Sequence, residues 1–405
     1  MQTIHHALVL NLHQPANNLW ELLEHQPWQT HEVLHAMDRI PRALWGYEDV
    51  ARVHLSLSGT LLETLVDPNF QQRMYGVVDC GSLLWHFQNL SLFRLLGTGH
   101  YHPVLPLIPD ADREEHLNRW LGIASHLFWR RDFQGFWPPE MGFSMELIPL
   151  LKGLGYRYVL VDSDHVEAVT PMSWHELRYR PHIARYGDDE IIVVVRDRDL
   201  SNAQESGMDL PWFVDELKAR TRWCDFEPLV ATATDGDNGG WFRNPKYEAN
   251  YWGMYRGLLD GVRENAHPIR PIFIDDYLDR YGAHGEVVVH TGAWNTGWHH
   301  GHGFVQWTGS QAQKDVLSRM AQISSAVHNL RMLAEELPYR DWELDRVIEE
   351  SLWHLLRAET SCHIFWGEAW VDRAHRDMDI SQSCLDHARH LIHLSSVPNA
   401  SVVNH

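Results

Sequence analysis

Seven short β-branched or apolar runs, most of them separated by amphipathic segments, restrict this chain to a small set of folds. The runs are Ala7–Leu12, Arg52–Leu57, Ser91–Leu96, Tyr158–Val161, Ile191–Val195, Leu229–Thr232 and Val287–His290. Between them, Asp112–Trp129, Ser144–Leu154 and Leu210–Arg222 alternate apolar and polar residues at helical spacing. Strands alternating with helices predict a mainly parallel sheet, either closed into a barrel or doubly wound. After about Ser310 the pattern changes. Gln311–Leu337, Trp342–Thr360 and Ile380–Leu394 are long, helix-patterned and almost free of Gly and Pro. The expectation is an α/β domain over residues 1–309 and a helical region over 310–405 packed on it, with a frayed tail from Ser395.

Composition narrows the partners. The chain of 405 residues carries 34 basic and 54 acidic side chains, a net charge of −20. That balance argues against nucleic acid or an anionic membrane surface, both of which select basic patches. A neutral substrate fits better. The 19 tryptophans suit carbohydrate stacking as well as an ordinary core. Cys80, Cys224, Cys362 and Cys384 are scattered without CxxC spacing and read as reduced thiols. The opening residues have no basic stretch followed by a long apolar one, and no run approaches a membrane span. The cytoplasm is the expected location, with no membrane partner.

Polar motifs cluster just after the candidate strands, where an α/β barrel builds its active site. Leu12-His13-Gln14-Pro15 offers neutral donors and acceptors suited to sugar hydroxyls, and reads equally as a strand-end turn. His100 and His102 alternate after a strand; they line a polar pocket, pair on a metal, or belong to a proline-stiffened loop. In Gly135-Phe136-Trp137-Pro138-Pro139-Glu140-Met141-Gly142-Phe143 a single acid sits among prolines and aromatics. The prolines restrict its backbone, although Pro-Pro-Glu also suits a helix start. Arg196-Asp197-Arg198 ends an apolar strand. Arg196 orients a carboxylate there, or pairs structurally with Asp197 or Asp199. Asp235-Gly236-Asp237-Asn238-Gly239-Gly240-Trp241-Phe242 places two acids before two aromatics, and its ligand positions do not match a calcium loop. It is the best partner for Glu140. Trp294-Asn295 opens a Gly-rich stretch holding Trp298, His299, His300 and His302, read as sugar platforms and a polar rim.

With these residues in view the chain resembles glycoside hydrolase family 57, which contains α-amylases, 4-α-glucanotransferases and branching enzymes. The resemblance rests on Leu12-His13-Gln14-Pro15, on Tyr101-His102-Pro103-Val104-Leu105-Pro106-Leu107, on Trp137-Pro138-Pro139-Glu140, on Asp235-Gly236-Asp237, and on Ala358-Glu359-Thr360-Ser361-Cys362-His363-Ile364-Phe365-Trp366. It implies a (β/α)7 barrel followed by a helical bundle, and a retaining mechanism without metal or other cofactor. Glu140 would be the nucleophile and Asp235 the general acid/base. His13, Gln14, His102, Trp137, Arg196, Asp237, Trp241, Trp294 and Trp366 would bind an α-glucan or maltooligosaccharide. The chain departs from the family pattern in three places: no acid in Ser91–Leu96, Asp237 where a glutamate is common, and Ser361-Cys362-His363 where an aspartate usually stands. Hydrolysis is the expected reaction, with glucan transfer or branching on the same site as the alternative. From another class, a metal-dependent polysaccharide deacetylase would use His100, His102, His299, His300 and His302. A non-catalytic glucan-binding relative is the fourth reading.

Overall fold

A computed structural model describes residues 2–297, 301–337 and 342–396. The chain forms two compact units, Met1–His102 with Leu117–Phe304, and Pro103–His116 with Val305–His405.

The first unit is built on eleven strands: β1 (Ile4–Leu12), β2 (Val53–Leu57), β3 (Phe93–Leu96), β4 (Gly135–Phe136), β5 (Tyr158–Asp162), β6 (Val166–Ala168), β7 (His182–Tyr186), β8 (Asp189–Arg196), β9 (Leu229–Asp235), β10 (Ile269–Pro271) and β11 (Val287–Val289). Seven of them run parallel in the order β3-β2-β1-β9-β8-β5-β4. The two ends of this sheet meet at Gly97. Its N–H reaches Gly135 O at 2.9 Å, and its C=O accepts from Trp137 N at 2.8 Å, closing a seven-stranded barrel. Glycines make this seam possible. A Cβ on Gly97 would lie 2.1 Å from the Tyr156 hydroxyl, and one on Gly135 2.3 Å from the Tyr158 ring.

Two elements differ from the sequence reading. The barrel strand β4 is only two residues long, too short to carry any periodicity. The run Val287–His290 does form a strand, β11, but it pairs antiparallel with β6 outside the barrel.

Strand alternation fills the interior. Ala7 and Val9 of β1, Leu229, Ala231 and Ala233 of β9, Tyr158 and Leu160 of β5, and Val194 of β8 join one buried cluster. Ile274, Tyr277 and Leu278 of the helix Ile274–Tyr281 enter the same cluster. They meet the strands where β10 pairs with Ile4–His6, the start of β1, and so plug the amino-terminal end. The same two-residue period, continued to the carboxyl ends, reaches Asn11, Asp235, Asp162 and Arg196. Four apolar rows thus terminate in four polar side chains on one end of the barrel.

The second unit holds the helices Gln311–Glu335, Trp342–Ala358 and Val371–Ser396. It is not contiguous in sequence, because Pro103–His116 belongs to it and Pro103 bridges to Thr360. Inside it, His116 Nε2 lies 2.9 Å from Glu359 Oε2, and His328 Nε2 lies 2.7 Å from Asp112 Oδ1. No helix among the described residues is long and apolar enough to cross a membrane.

Candidate active site

Glu140 follows β4 by four residues, inside the single 3-10 turn Pro139–Met141. Its backbone is left-handed, φ 58° and ψ 14°, and Met141 follows at φ 51°. Pro138 and Pro139 therefore open no helix; they fix a strained turn that aims one carboxylate. Trp294 grips it twice. The indole N–H donates to Glu140 Oε2 at 2.9 Å, and the Trp294 backbone N–H donates to Glu140 O at 3.1 Å. Trp137 is fully buried, its ring 5.6 Å from Trp294 in a T-shaped contact, so it walls the site from behind.

On the other side of Glu140, His102 Nδ1 is 3.7 Å from Oε1. His102 has φ 60° and stacks flat on His13, with ring centroids 3.9 Å apart. Burial pushes the His102 imidazole down to about 3, so it is neutral beside the acid. His100 turns away, its Nε2 3.0 Å from Glu63 Oε1. The two histidines do not share a face.

Asp235 ends β9 directly opposite Asn11 of β1. Asn11 Nδ2 donates to its Oδ1 at 2.9 Å, and Asn238 Nδ2 to its Oδ2 at 3.4 Å. Burial nevertheless raises the Asp235 carboxyl above its usual range, against those hydrogen bonds and the Arg196 charge. Asp237 is buried beneath it and pushed up to about 7, first by burial and then by the Asp235 charge. Gln14 is spent on this acid: its Nε2 donates to Asp237 Oδ2 at 2.8 Å while its own Oε1 accepts from Asn18.

Arg196 stands near Trp294 and its charge acts on Asp235. Its guanidinium is 5.7 Å from the Trp294 ring, and its Nε donates to Ala233 O at 2.8 Å. Its partner is neither Asp197 nor Asp199 but Asp162, at 2.6 Å, which also takes Arg198 at 2.7 Å. Asp197 instead caps the helix Arg198–Ser206 and accepts from Tyr179. Trp241 is half-buried at the start of the helix Gly239–Arg243, in the Asp235 loop. A cavity of about 730 Å³ is lined by Trp241, Met208, Tyr247 and Arg256, among others, and by neither Glu140 nor Asp235.

The model of the family described as "Glycosyl hydrolase family 57" matches residues 7–289. The chain belongs to glycosyl hydrolase family 57. Among its relatives are a 4-alpha-glucanotransferase of Thermococcus litoralis, 25% identical over 49% of this chain and 28% of that protein, and an alpha-amylase of Pyrococcus horikoshii, 24% identical over 49% and 29%. The chain thus matches under a third of the length of those curated relatives. In fold it is similar to the family 57 branching enzyme of Thermococcus kodakaraensis, with a TM-score of 0.74 at 13% identity, covering 98% of this chain and 92% of that one. An alpha-amylase of Thermotoga maritima gives a TM-score of 0.71 at 12% identity, covering 98% and 95%.

Set against family 57, the first, third and fourth motif regions fall on the barrel unit, while the second has Tyr101 and His102 there and its remainder, from Pro103, in the helical unit. The last, with an exposed Trp366, falls on the helical unit. Among the described residues no group of three or more His, Cys, Asp and Glu is arranged to hold a metal ion. Trp298, His299 and His300 lie outside the described residues. Sequence reading missed Asn11, Asp162 and His165. The first two had a signal, since each is a polar residue in phase with an apolar inward row.

Proposed function

We propose that this family 57 chain is a retaining glycoside hydrolase of α-glucans, with Glu140 as nucleophile and Asp235 as general acid/base. Glu140 would attack the anomeric carbon while the Asp235 proton passes to the departing glycosidic oxygen. The resulting glycosyl-enzyme ester is then opened by water, whose proton returns to Asp235. The observation that carries this reading is the contrast between the two carboxyls. Glu140 accepts the Trp294 indole N–H, a contact that favours a charged carboxylate, whereas burial raises the Asp235 carboxyl above its usual range, the direction a general acid requires. His13 and the neutral His102, with Trp294 and Trp241, supply polar and aromatic contacts for a sugar. Retention further requires the two carboxyl groups to stand roughly 5–5.5 Å apart.

Glu140→Gln and Asp235→Asn should each lower turnover of maltooligosaccharides by about a thousandfold or more while leaving thermal unfolding near that of the parent chain. Nuclear magnetic resonance of the first product should show the α-anomer. A β-anomer, or full activity in either variant, would overturn the mechanism. The relatives divide between amylases and glucanotransferases, so transfer to a second sugar is the alternative on the same site. Products longer than the starting maltooligosaccharide would establish it.

A further inference from the structure

The grip of Trp294 on Glu140 depends on where the segment His290–Trp294 is held, and that segment has an unexpected support. His165 is buried just after β5, outside every motif of the sequence reading. Its Nε2 lies 2.9 Å from Ala293 O, one residue before Trp294. Its ring packs so tightly on Gly292 that a Cβ there would fall 2.3 Å from Cε1. Gly292 in turn exchanges two backbone hydrogen bonds with Phe143, at 2.9 and 3.1 Å, three residues beyond Glu140. His165 therefore bears on the short ladder that carries both partners of the Trp294–Glu140 contact.

In the neutral ring the hydrogen bonds also select the tautomer. A carbonyl only accepts, so His165 Nε2 carries the proton and Nδ1 carries the lone pair. That lone pair accepts from His302 Nδ1 at 2.8 Å. His302 stacks on His290, with centroids 4.7 Å apart, and His290 Nε2 reaches Glu167 at 2.6 Å. The chain of groups runs from the rim inward to the Ala293 carbonyl.

Resting on the reading of Glu140 as nucleophile, we propose that His165 is a positioning residue that sets Trp294 against the Glu140 carboxylate. It touches no reacting atom. Its effect passes through the Ala293 carbonyl and the indole N–H of the next residue. A leucine at 165 would fill the space without donating to Ala293 or accepting from His302. A glutamine keeps both functions in one amide, with N–H toward Ala293 and oxygen toward His302.

The test is a double-mutant cycle on maltooligosaccharide turnover with His165→Leu, His165→Gln, Trp294→Phe and the combination of the first and third. His165→Leu should lower kcat about tenfold with KM within about twofold, and His165→Gln should recover most of that loss. Trp294→Phe removes the indole donor from the carboxylate and His165→Leu displaces it, so the acid limb of kcat/KM should move to higher pH in each. In the Trp294→Phe background His165→Leu should change nothing further. Additive losses with an unmoved acid limb would overturn the proposal. Should His165→Leu not fold, His302→Phe breaks the same chain from the other end and should shift the limb in the same direction; an unshifted limb there overturns it equally. If turnover in the parent chain does not depend on Glu140, the functional reading fails instead, and that control comes first.

Discussion

Glu140, Met141 and His102 all occupy left-handed backbone that glycine adopts readily and other residues do not. Each such residue costs roughly 1–3 kcal/mol, so the surrounding structure must hold the turn in place. The proline pair before Glu140 was visible in the sequence as a constraint, but its direction was not. Whether Pro-Pro-Glu starts a helix or a strained turn is decided by Trp294, 154 positions downstream. Asp235 and Asp237 set a pH dependence at the same scale. They interact, so they titrate as a pair, its upper proton, on Asp237, held up to about 7 by burial and by the Asp235 charge. The proposed acid, Asp235, draws on that proton, and on this reading activity should fall on the alkaline side as it leaves. Asp237→Asn removes the second carboxylate and with it the upper step. The alkaline limb of kcat/KM should then move to lower pH, and a limb that stays in place or moves upward would contradict the shared-proton reading.

Among the elements, β4 shows how little strand is needed to close a barrel. Two residues and one bridge at Gly97 join the ends of the sheet, with tyrosine rings lying where side chains on the glycines would go. Gly135→Ala should therefore destabilise the chain by about 1–3 kcal/mol, read as a lower urea midpoint with an unchanged slope. An unaltered midpoint would mean the seam relaxes freely. This scale also explains what the sequence could and could not reveal. Six of the seven apolar runs became barrel strands because each is long enough to show its pattern. Gly135–Phe136 has no length for a pattern, and Val287–His290 has the pattern but a different partner. Pairing is chosen by distant residues, which a local run does not encode. The polar ends of the rows were legible in principle: 7, 9, 11 in β1 and 231, 233, 235 in β9 keep strict alternation, so Asn11 and Asp235 had to point inward together. Asp162 follows the same rule in β5, yet an aspartate at a strand end also suits a cap or turn, and the arginines it holds lie 34 and 36 positions away.

Taken as a whole, the molecule places acids in two interiors. In the helical unit Glu359 is fully buried, and burial together with Asp112 raises its carboxyl well above the ordinary range. Asp112 Oδ2 and Glu359 Oε1 have no other hydrogen-bond donor, so a proton on Glu359 satisfies both. A raised carboxyl contributes stability that is complete below its unfolded value, near 4.5, and that declines as pH rises toward the folded value. Glu359→Gln supplies the donor permanently and removes that decline. Relative to the parent chain, the melting temperature of Glu359→Gln should improve steadily as pH rises above the unfolded value. A difference independent of pH would show that Glu359 is not the protonated partner.

The register of β1 has a consequence for how the chain is made. Asn11 must lie beside Asp235, 224 residues later. As synthesis proceeds, β1 emerges first and can pair with β2 early, but its other edge has no partner until β9 has left the ribosome. Parallel pairings over such a span form slowly, and an open edge invites other chains in the meantime. The Asp235 half of the pocket is thus assembled late, when most of the barrel already exists. Refolding yield at raised protein concentration should be limited by capture of that waiting edge.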